Sequence, residues 1–288
     1  MIPRGVKYIR RKAVNWGMLA LSGTSAVFGL FFLFWILGVV LAKGGSALDW
    51  DFFSKLPAPP GVEGGGMANG IVGTLLLTVL ATAIGVPCGL FAGTYLAEYG
   101  RNGALANTVR FISDVLTSAP SIVIGVFVYA ILVRPLRGFS GFAGGVALAF
   151  IMIPVVTRTT EEMLQLVPNA LREAALALGA PYWKVVVNVC YRRVLGGMTT
   201  GILLAIARVS GETAPLLFTA LNNPYWNFNP MYPTGTLNVT LFNYAMSPYN
   251  DWRAQAWGAA FLITLFVLVV TILARIVVSR TQTGRTPS

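Results

Sequence analysis

The chain has 288 residues, and it contains no histidine and few charged residues, which make up 11% of it. The absence of histidine excludes a histidine-based metal site, a histidine general base and a histidine pH switch. Soluble domains carry about a quarter charged residues. The low charge, together with 56% hydrophobic residues, therefore indicates a polytopic membrane protein. The alternating pattern of about ten residues that marks a membrane β-barrel is absent, so helical spans are expected.

The sequence also lacks the patterns of common catalytic sites. There is no G-x-x-x-x-G-K-[ST] nucleotide-binding loop, and neither paired carboxylates nor a Ser/Cys–His arrangement suggests hydrolysis. We therefore expect a chain that is not an enzyme by itself and that binds no cofactor or metal. The two cysteines fall in different segments, with Cys88 predicted to be buried in a span and Cys190 to be cytoplasmic. A disulfide between them is not expected.

The formal net charge of +11 is best explained by basic residues that flank apolar spans on the cytoplasmic side rather than by nucleic-acid binding. The apolar run after the basic start is longer than the ~7–15 residues of a signal-peptide core, which predicts a retained first helix. The fourth apolar run is short and spans only if Thr157 and Arg158 form its end. Spans of roughly 20 residues are predicted at Met18–Ala42, Ile71–Ala97, Val115–Val133, Phe142–Val156, Val194–Leu221 and Ala254–Val278.

The distribution of basic residues predicts that both termini are cytoplasmic. Arg134 and Arg137 run against this bias, and two interpretations stay open for them: ordinary loop charge, or an electropositive external mouth that attracts an anion. The predicted organisation is a basic N-terminus (1–17), a first transmembrane helix (18–42), an external loop (43–70), a core of five spans (71–279) that includes a cytoplasmic loop (157–194) and an external loop (222–253), and a cytoplasmic tail (280–288).

The cytoplasmic loop contains two predicted amphipathic helices. Asn169 is a candidate cap for a helix through "ALREAALALG", and Gly179 is well placed to end it. A second helix is predicted at Tyr182–Val194. Two interpretations are weighed: a rigid knob that receives mechanical force from a soluble motor, and an interfacial helix that lies on lipid.

Glu173-Ala174-Ala175 followed by Gly179 resembles the EAA loop of type I ABC importer permeases. The second half of that motif departs from the family pattern, because Val189, Cys190, Tyr191 and Arg192 stand where the family has I-x-L-P. "SAPSIVIGVFVYA", "PVVTRTTEEMLQLVP" and "ARVSGETAPLLFTAL" are similar to the permease subunits of the phosphate-specific branch. Together these stretches cover much of Ser118–Leu221.

The resemblance implies the all-α type I importer fold, with about six transmembrane helices, in a bacterial inner membrane. It also implies a complex with a second homologous permease, two ATP-binding subunits that hold ATP and Mg²⁺, and an external phosphate-binding protein. The EAA residues would receive force from the ATP-binding subunits. A permease for molybdate or sulfate, a secondary anion transporter and a structural or signalling membrane scaffold are the alternatives.

Arg208 and Glu212 lie near the middle of the fifth predicted span, four residues apart, which predicts that they share one helical face. Charges at that depth cost several kcal/mol and require a partner. Two interpretations remain: a structural ion pair, and a transient phosphate site in which Arg208 binds the anion and Glu212 gates and selects it.

Several neighbouring residues are weaker candidates. Ser210 and Thr213 are either anion donors or packing residues, and Pro215 predicts a kink. Arg158 is a candidate for a cytoplasmic exit contact or for a side chain that reaches the membrane interface. Asp114 is interpreted as a polar group at a helix end, and Glu98, beside Arg101, as the terminus of a span.

Overall fold

The structure, a computed structural model, describes residues 4–100 and 103–283. Within these residues all regular secondary structure is helical. Five helices are long and apolar enough to cross a membrane, and a bent pair supplies a sixth span if its two halves are counted together. The predictions for Arg101 and for the tail beyond residue 283 lie outside the described residues.

The first three helices lead from the N-terminal segment into the core. Helix α1 covers Arg4–Gly45, so the predicted first span continues the helix that begins in the basic segment. Helix α2 (Trp50–Ser54) is capped by Asp49, whose carboxylate accepts a hydrogen bond from the Phe52 N–H. Helix α3 (Ala68–Thr94) is prolonged by a π-helical turn at Tyr95–Gly100. Cys88 on α3 is exposed rather than buried as predicted, so its side chain faces away from the rest of the chain.

The third span is not the straight helix that the sequence predicts for Val115–Val133. Helix α4 (Ala104–Ser118) and helix α5 (Ser121–Val128) meet at an angle of 110°. Pro120 forces this break, because a proline disfavours the helical conformation at the residue before it, and Ala119 is extended with ψ 135°. Beyond α5 the chain continues through a π-helical turn into the short helix α6 (Arg134–Leu136).

Helix α7 (Gly141–Gln165) crosses the centre of the molecule and begins at the N-cap Ser140. It passes through Thr157 and Arg158, which makes the short fourth apolar run long enough to span. Glycines on α3 allow the two helix backbones to approach closely. A side chain at Gly89 would meet the Val156 Cβ at 2.6 Å, and one at Gly93 would meet the Thr160 Cβ at 2.6 Å. Helices α3 and α7 are therefore a closely packed pair.

The loop after α7 contains helix α8 (Asn169–Ala177) and helix α9 (Tyr182–Val185), as expected. Pro168, not Asn169, occupies the N-cap position of α8. Gly179 ends this segment with a φ of 79°, which confirms its predicted role. A π-helical turn joins α9 to helix α10 (Tyr191–Ser210), so one continuous helix runs from Tyr182 to Ser210.

The fifth predicted span extends to Leu221, but the helix ends earlier, at Ser210. After a break, helix α11 (Ala214–Leu217) begins with Pro215 in its first turn. Helix α12 (Leu237–Ala245) folds inside the predicted external loop, and helix α13 (Asn250–Thr283) includes the sixth predicted span. A buried cluster joins α3, α5, α7 and α10 to α11 and α12, whereas α1 packs on α13 near Gly44.

Candidate functional site

Two helix breaks meet at a cavity of about 220 Å³ in the core, which we call the Arg208 cavity. One break lies between α4 and α5 at Ala119–Pro120, and the other follows α10. The middle of α7 closes the third side. The lining residues are Leu116, Thr117, Ala119, Pro120, Ser121, Ile124, Ile151, Pro154, Val155, Arg208 and Glu212.

The break after α10 is held by Asn238 of α12. The Asn238 side-chain amide donates hydrogen bonds to the backbone carbonyls of Ser210 (2.8 Å) and Glu212 (2.9 Å). Pro215 adds to the interruption, because it has no N–H to bond the carbonyl four residues earlier. The expectation that Arg208 and Glu212 share a helical face is therefore wrong: Arg208 lies in the last turn of α10, and Glu212 lies in the break beyond it.

The predicted ion pair between Arg208 and Glu212 is also absent. Within the described part of the chain, neither side chain lies at ion-pair or hydrogen-bonding distance from another group. Arg208 is exposed and Glu212 is half-buried. Both charged side chains line the same cavity, so their charges are available to something that enters it.

The N-terminus of α5 adds a second source of positive potential. Its first residue, Ser121, lines the Arg208 cavity, and no side chain caps the first turn. Uncapped N–H groups and the helix dipole favour an anion at such an end. The cavity thus combines a guanidinium, a helix N-terminus and one carboxylate.

The other two residues predicted for the same path are not brought to this cavity. The Ser210 hydroxyl is buried and donates to the Ala207 carbonyl (2.8 Å). Ser210 lines a separate, mostly apolar cavity that also contains Thr74 and Thr78. Thr213 is half-buried next to the break but is not part of the lining.

A second cavity, of about 310 Å³, lies along α4 and α7, and we call it the Arg158 cavity. It shares Thr117 and Pro154 with the Arg208 cavity, so the two adjoin. Arg158 pairs with Asp114 (3.4 Å) and Glu162 (3.1 Å), and all three side chains are more than half exposed. Such exposed pairs contribute little to stability, and Asp114, four residues before the end of α4, is a partner of Arg158.

The two arginines predicted for an external mouth lie elsewhere. Arg134 begins α6, and Arg137 follows it with a φ of 54°. Both side chains are exposed, and neither lines the two cavities.

The EAA residues lie apart from the cavities, on α8 and the turn after it. Glu173, Ala174 and Gly179 are exposed, and Ala175 packs against a buried cluster. Leu171, Leu176 and Leu178 are exposed as well, the last at 89%. Helix α8 and the turn after it therefore present three leucines and one carboxylate that no described residue covers.

Glu98 is not a simple span terminus, because it is buried and bonded to Arg172 of α8. The Arg172 guanidinium donates to both carboxylate oxygens, at 2.6 and 3.1 Å. This hydrogen bonding raises the pKa of the Arg172 guanidinium above its ordinary value. The Arg172 guanidinium therefore stays charged at physiological pH.

Sequence reasoning missed the residues that carry no charge or whose partner is distant. Asn238 lies in an unremarkable run of the predicted external loop, and Thr117 and Pro154 stand among ordinary span residues. A signal for the first break was Pro120 in "SAPS", since a proline disfavours the helical conformation at the residue before it. Among the described residues, no group of three or more cysteine and acidic side chains is arranged to hold a metal ion.

The broken helices around two adjoining cavities, within a bundle of five or six spans, are the architecture expected of a membrane transport protein. The sequence model of the family "binding-protein-dependent transport system inner membrane component" matches residues 85–283. Two solved ABC transporter structures share the fold. A chain of the MetNI methionine ABC transporter has a TM-score of 0.61 at 22% identity, covering 74% of this chain and 95% of its own. A chain of a bacterial ABC transporter that imports alginate has a TM-score of 0.65 at 13% identity, covering 98% and 100%.

Relatives of much higher identity narrow the class. The phosphate transport system permease protein PstA of Pasteurella multocida is 52% identical over 92% of this chain and 95% of its own length. The PstA protein of Yersinia pestis is 49% identical over 97% and 95%. The chain belongs to the PstA family of permeases.

Proposed function

We propose that this chain is a transmembrane subunit of an ATP-driven importer of inorganic phosphate in a bacterial inner membrane. The observation that carries the proposal is the Arg208 cavity, where a guanidinium that has no partner among the described residues converges with the uncapped N-terminus of α5. Relatives named for phosphate transport support this choice of anion.

Arg208 is the anion-binding group in this proposal. A guanidinium is planar, always charged and offers paired donors that match two phosphate oxygens. Discontinuous helices near the centre of a transporter commonly direct helix termini at the cargo, and α5 is placed to do so. Binding in such a site needs no metal ion.

In this proposal Glu212 gates the anion and selects phosphate over sulfate. A carboxylate accepts a hydrogen bond from a protonated phosphate oxygen, whereas sulfate carries no such proton near neutral pH and is repelled. Because Glu212 is not paired with Arg208 in this structure, the anion has no ion pair to displace. The carboxylate instead weakens binding enough for the cargo to leave.

The Arg158 cavity is the proposed exit. It adjoins the Arg208 cavity at Thr117 and Pro154, and it holds a second guanidinium whose ion pairs are exposed and weak. An anion that leaves Arg208 would meet Arg158 next.

The partners are part of the proposal. A homologous permease completes the path, two ATP-binding subunits hold ATP and Mg²⁺, and an external phosphate-binding protein delivers the cargo. The exposed leucines, Glu173 and Ala174 on α8 are the contact for an ATP-binding subunit.

The test is phosphate uptake in a strain that lacks other phosphate carriers. Arg208→Gln and Glu212→Gln are each expected to reduce uptake by at least about a hundredfold, since a lost charge-assisted contact costs about 3 kcal/mol. Arg208→Lys keeps the charge without the fork and should retain part of the activity.

Arg253→Gln is the matched control, because Arg253 is exposed and bonds only its helical neighbour Asn250 within the described residues. Normal uptake by Arg208→Gln in an assembled complex would refute the anion-binding role. Competition by sulfate or molybdate separates phosphate from other oxyanions, and Glu212→Gln should make uptake more sensitive to sulfate.

A further inference from the structure

The end of α3 and the loop that carries α8 are joined by a buried polar cluster, the Glu98–Arg172 node. Glu98 lies in the π-helical turn that ends α3, and its side chain is 1% exposed. Arg172 lies on α8, and its side chain is 11% exposed. The two residues are bonded bidentately although 74 positions separate them in the chain.

Arg172 also holds the end of α7. Its guanidinium donates to the carbonyls of Val167 (2.5 Å) and Leu164 (2.8 Å), and to the Asn169 side chain (3.3 Å). A guanidinium has five N–H donors, and these contacts with those to Glu98 use them all. The carbonyls at the end of a helix have no partner within that helix, so Arg172 satisfies the end of α7 as it binds the end of α3.

The node includes the start of the next helix. The Tyr182 hydroxyl donates to the Glu98 carboxylate at 2.8 Å, and the Tyr182 and Tyr99 rings meet edge to face. Nearby, the hydroxyls of Thr94 on α3 and Tyr191 on α10 share a hydrogen bond. Four elements, α3, α7, α8 and α9, thus meet at two buried charges.

We propose that the Glu98–Arg172 node transmits the displacement of α8 to the α3–α7 pair, with Glu98 and Arg172 as positioning residues. The inference rests on the proposed function, in which α8 receives force from an ATP-binding subunit. Because α3 and α7 are tightly packed along their glycines, a pull on the node moves them together. Helix α7 carries Pro154 and Arg158, so that movement reaches the walls of both cavities.

A surface contact on α8 would dock the motor without this node, but it would not move the cavity walls. The node is buried beneath the face of α8 that carries Glu173, so its loss leaves the exposed EAA residues in place. The expected consequence is uncoupling: the complex assembles and hydrolyses ATP, but hydrolysis no longer drives transport.

The experiment uses the purified whole complex in liposomes, with the external binding protein and inorganic phosphate. The variant is the double substitution Glu98→Gln/Arg172→Gln, which removes both charges and so avoids leaving one buried and unpaired. The phosphate imported per ATP hydrolysed is expected to fall about tenfold, which lies within the usual range of coupling energies. The control is Lys55→Gln, which breaks the exposed ion pair with Asp51 and should leave the ratio unchanged.

An assembled double variant with the wild-type ratio would overturn the inference. So would an equal loss of hydrolysis and import, because the node would then serve docking rather than transmission. If the double variant does not assemble, Tyr182→Phe decides: it removes the contacts of the Tyr182 hydroxyl with Glu98 and should lower the ratio about threefold, and an unchanged ratio overturns the inference. Absence of phosphate import by the wild-type complex would instead refute the proposed function.

Discussion

At the scale of single residues, the Arg208 cavity depends on one neutral amide. The Asn238 side-chain amide donates to the backbone carbonyls of Ser210 and Glu212, on either side of Gly211. These hydrogen bonds stabilise the non-helical conformation of the break. Arg208 and Glu212 attract attention in the sequence because a charge inside a span needs a reason. Asn238 carries no such signal, since its partners lie 26 and 28 residues away.

Asn238→Asp is expected to destabilise the complex by about 3 kcal/mol, because an ionised carboxylate has no proton to donate to two buried carbonyls. Asn229→Asp is the matched control: the Asn229 side chain accepts a hydrogen bond from the Met231 N–H, and aspartate accepts equally well. Thermal unfolding of the purified complex measures both. Equal stability of the two variants would show that Asn238 does not hold the break.

At the scale of helices, apolar length predicts which segments span, but not where a span breaks. The positions of α1, α3, α7 and α13 follow from the hydrophobic runs of the sequence. The third and fifth predicted spans are wrong in detail. Pro120 marks the break in the third span, but Asn238 of α12 holds the break after α10, and α7 closes the cavity between the two breaks. Local sequence contains the prolines but not these neighbours, so the cavity between the two breaks was not predictable.

The close packing of α3 on α7, which we call the α3–α7 seam, leads to a prediction about stability. Gly89→Ala would place a Cβ 2.6 Å from that of Val156 and 3.1 Å from the Ile153 carbonyl oxygen. Overpacking of this kind costs about 1–3 kcal/mol. The melting temperature of the complex should therefore fall, while Gly29→Ala on α1, where nothing lies within 4 Å, should leave it unchanged. An unaltered melting temperature for Gly89→Ala would mean that the seam is loose.

At the scale of the whole molecule, much of the apolar surface has no cover within the chain. The most apolar stretch of α1 is entirely unburied, and the leucines of α8 are exposed. Lipid would cover the apolar surface of α1. Helix α8, in contrast, follows the end of a span and carries a charge, so lipid does not explain its exposed leucines. The arrangement suits a subunit whose surfaces are completed by others, in agreement with the family.

Substitutions at Gly179 test the contact with the ATP-binding subunit through backbone conformation alone. Its φ of 79° favours glycine, yet no atom lies within 4 Å of an added Cβ. Gly179→Asn should therefore be tolerated, because asparagine adopts this conformation readily. Gly179→Val should be strained by about 1–2 kcal/mol and should reduce both co-purification of the ATP-binding subunit and phosphate uptake. If the two variants behave alike, the backbone conformation at Gly179 does not contribute to the contact with the ATP-binding subunit.

The break at Pro120 also bears on how the chain enters the membrane during synthesis. The eight residues of α5, the five of the π-helical turn and the three of α6 rise roughly 24 Å at about 1.5 Å per residue, which is short of the ~30 Å hydrocarbon layer. This segment alone is a poor substrate for the insertion machinery. Its stable placement must await α7, whose Phe150 ring packs edge to face on Phe127. In a nascent chain that ends between α6 and α7, the segment from α5 to α6 would therefore lack a stable position in the membrane.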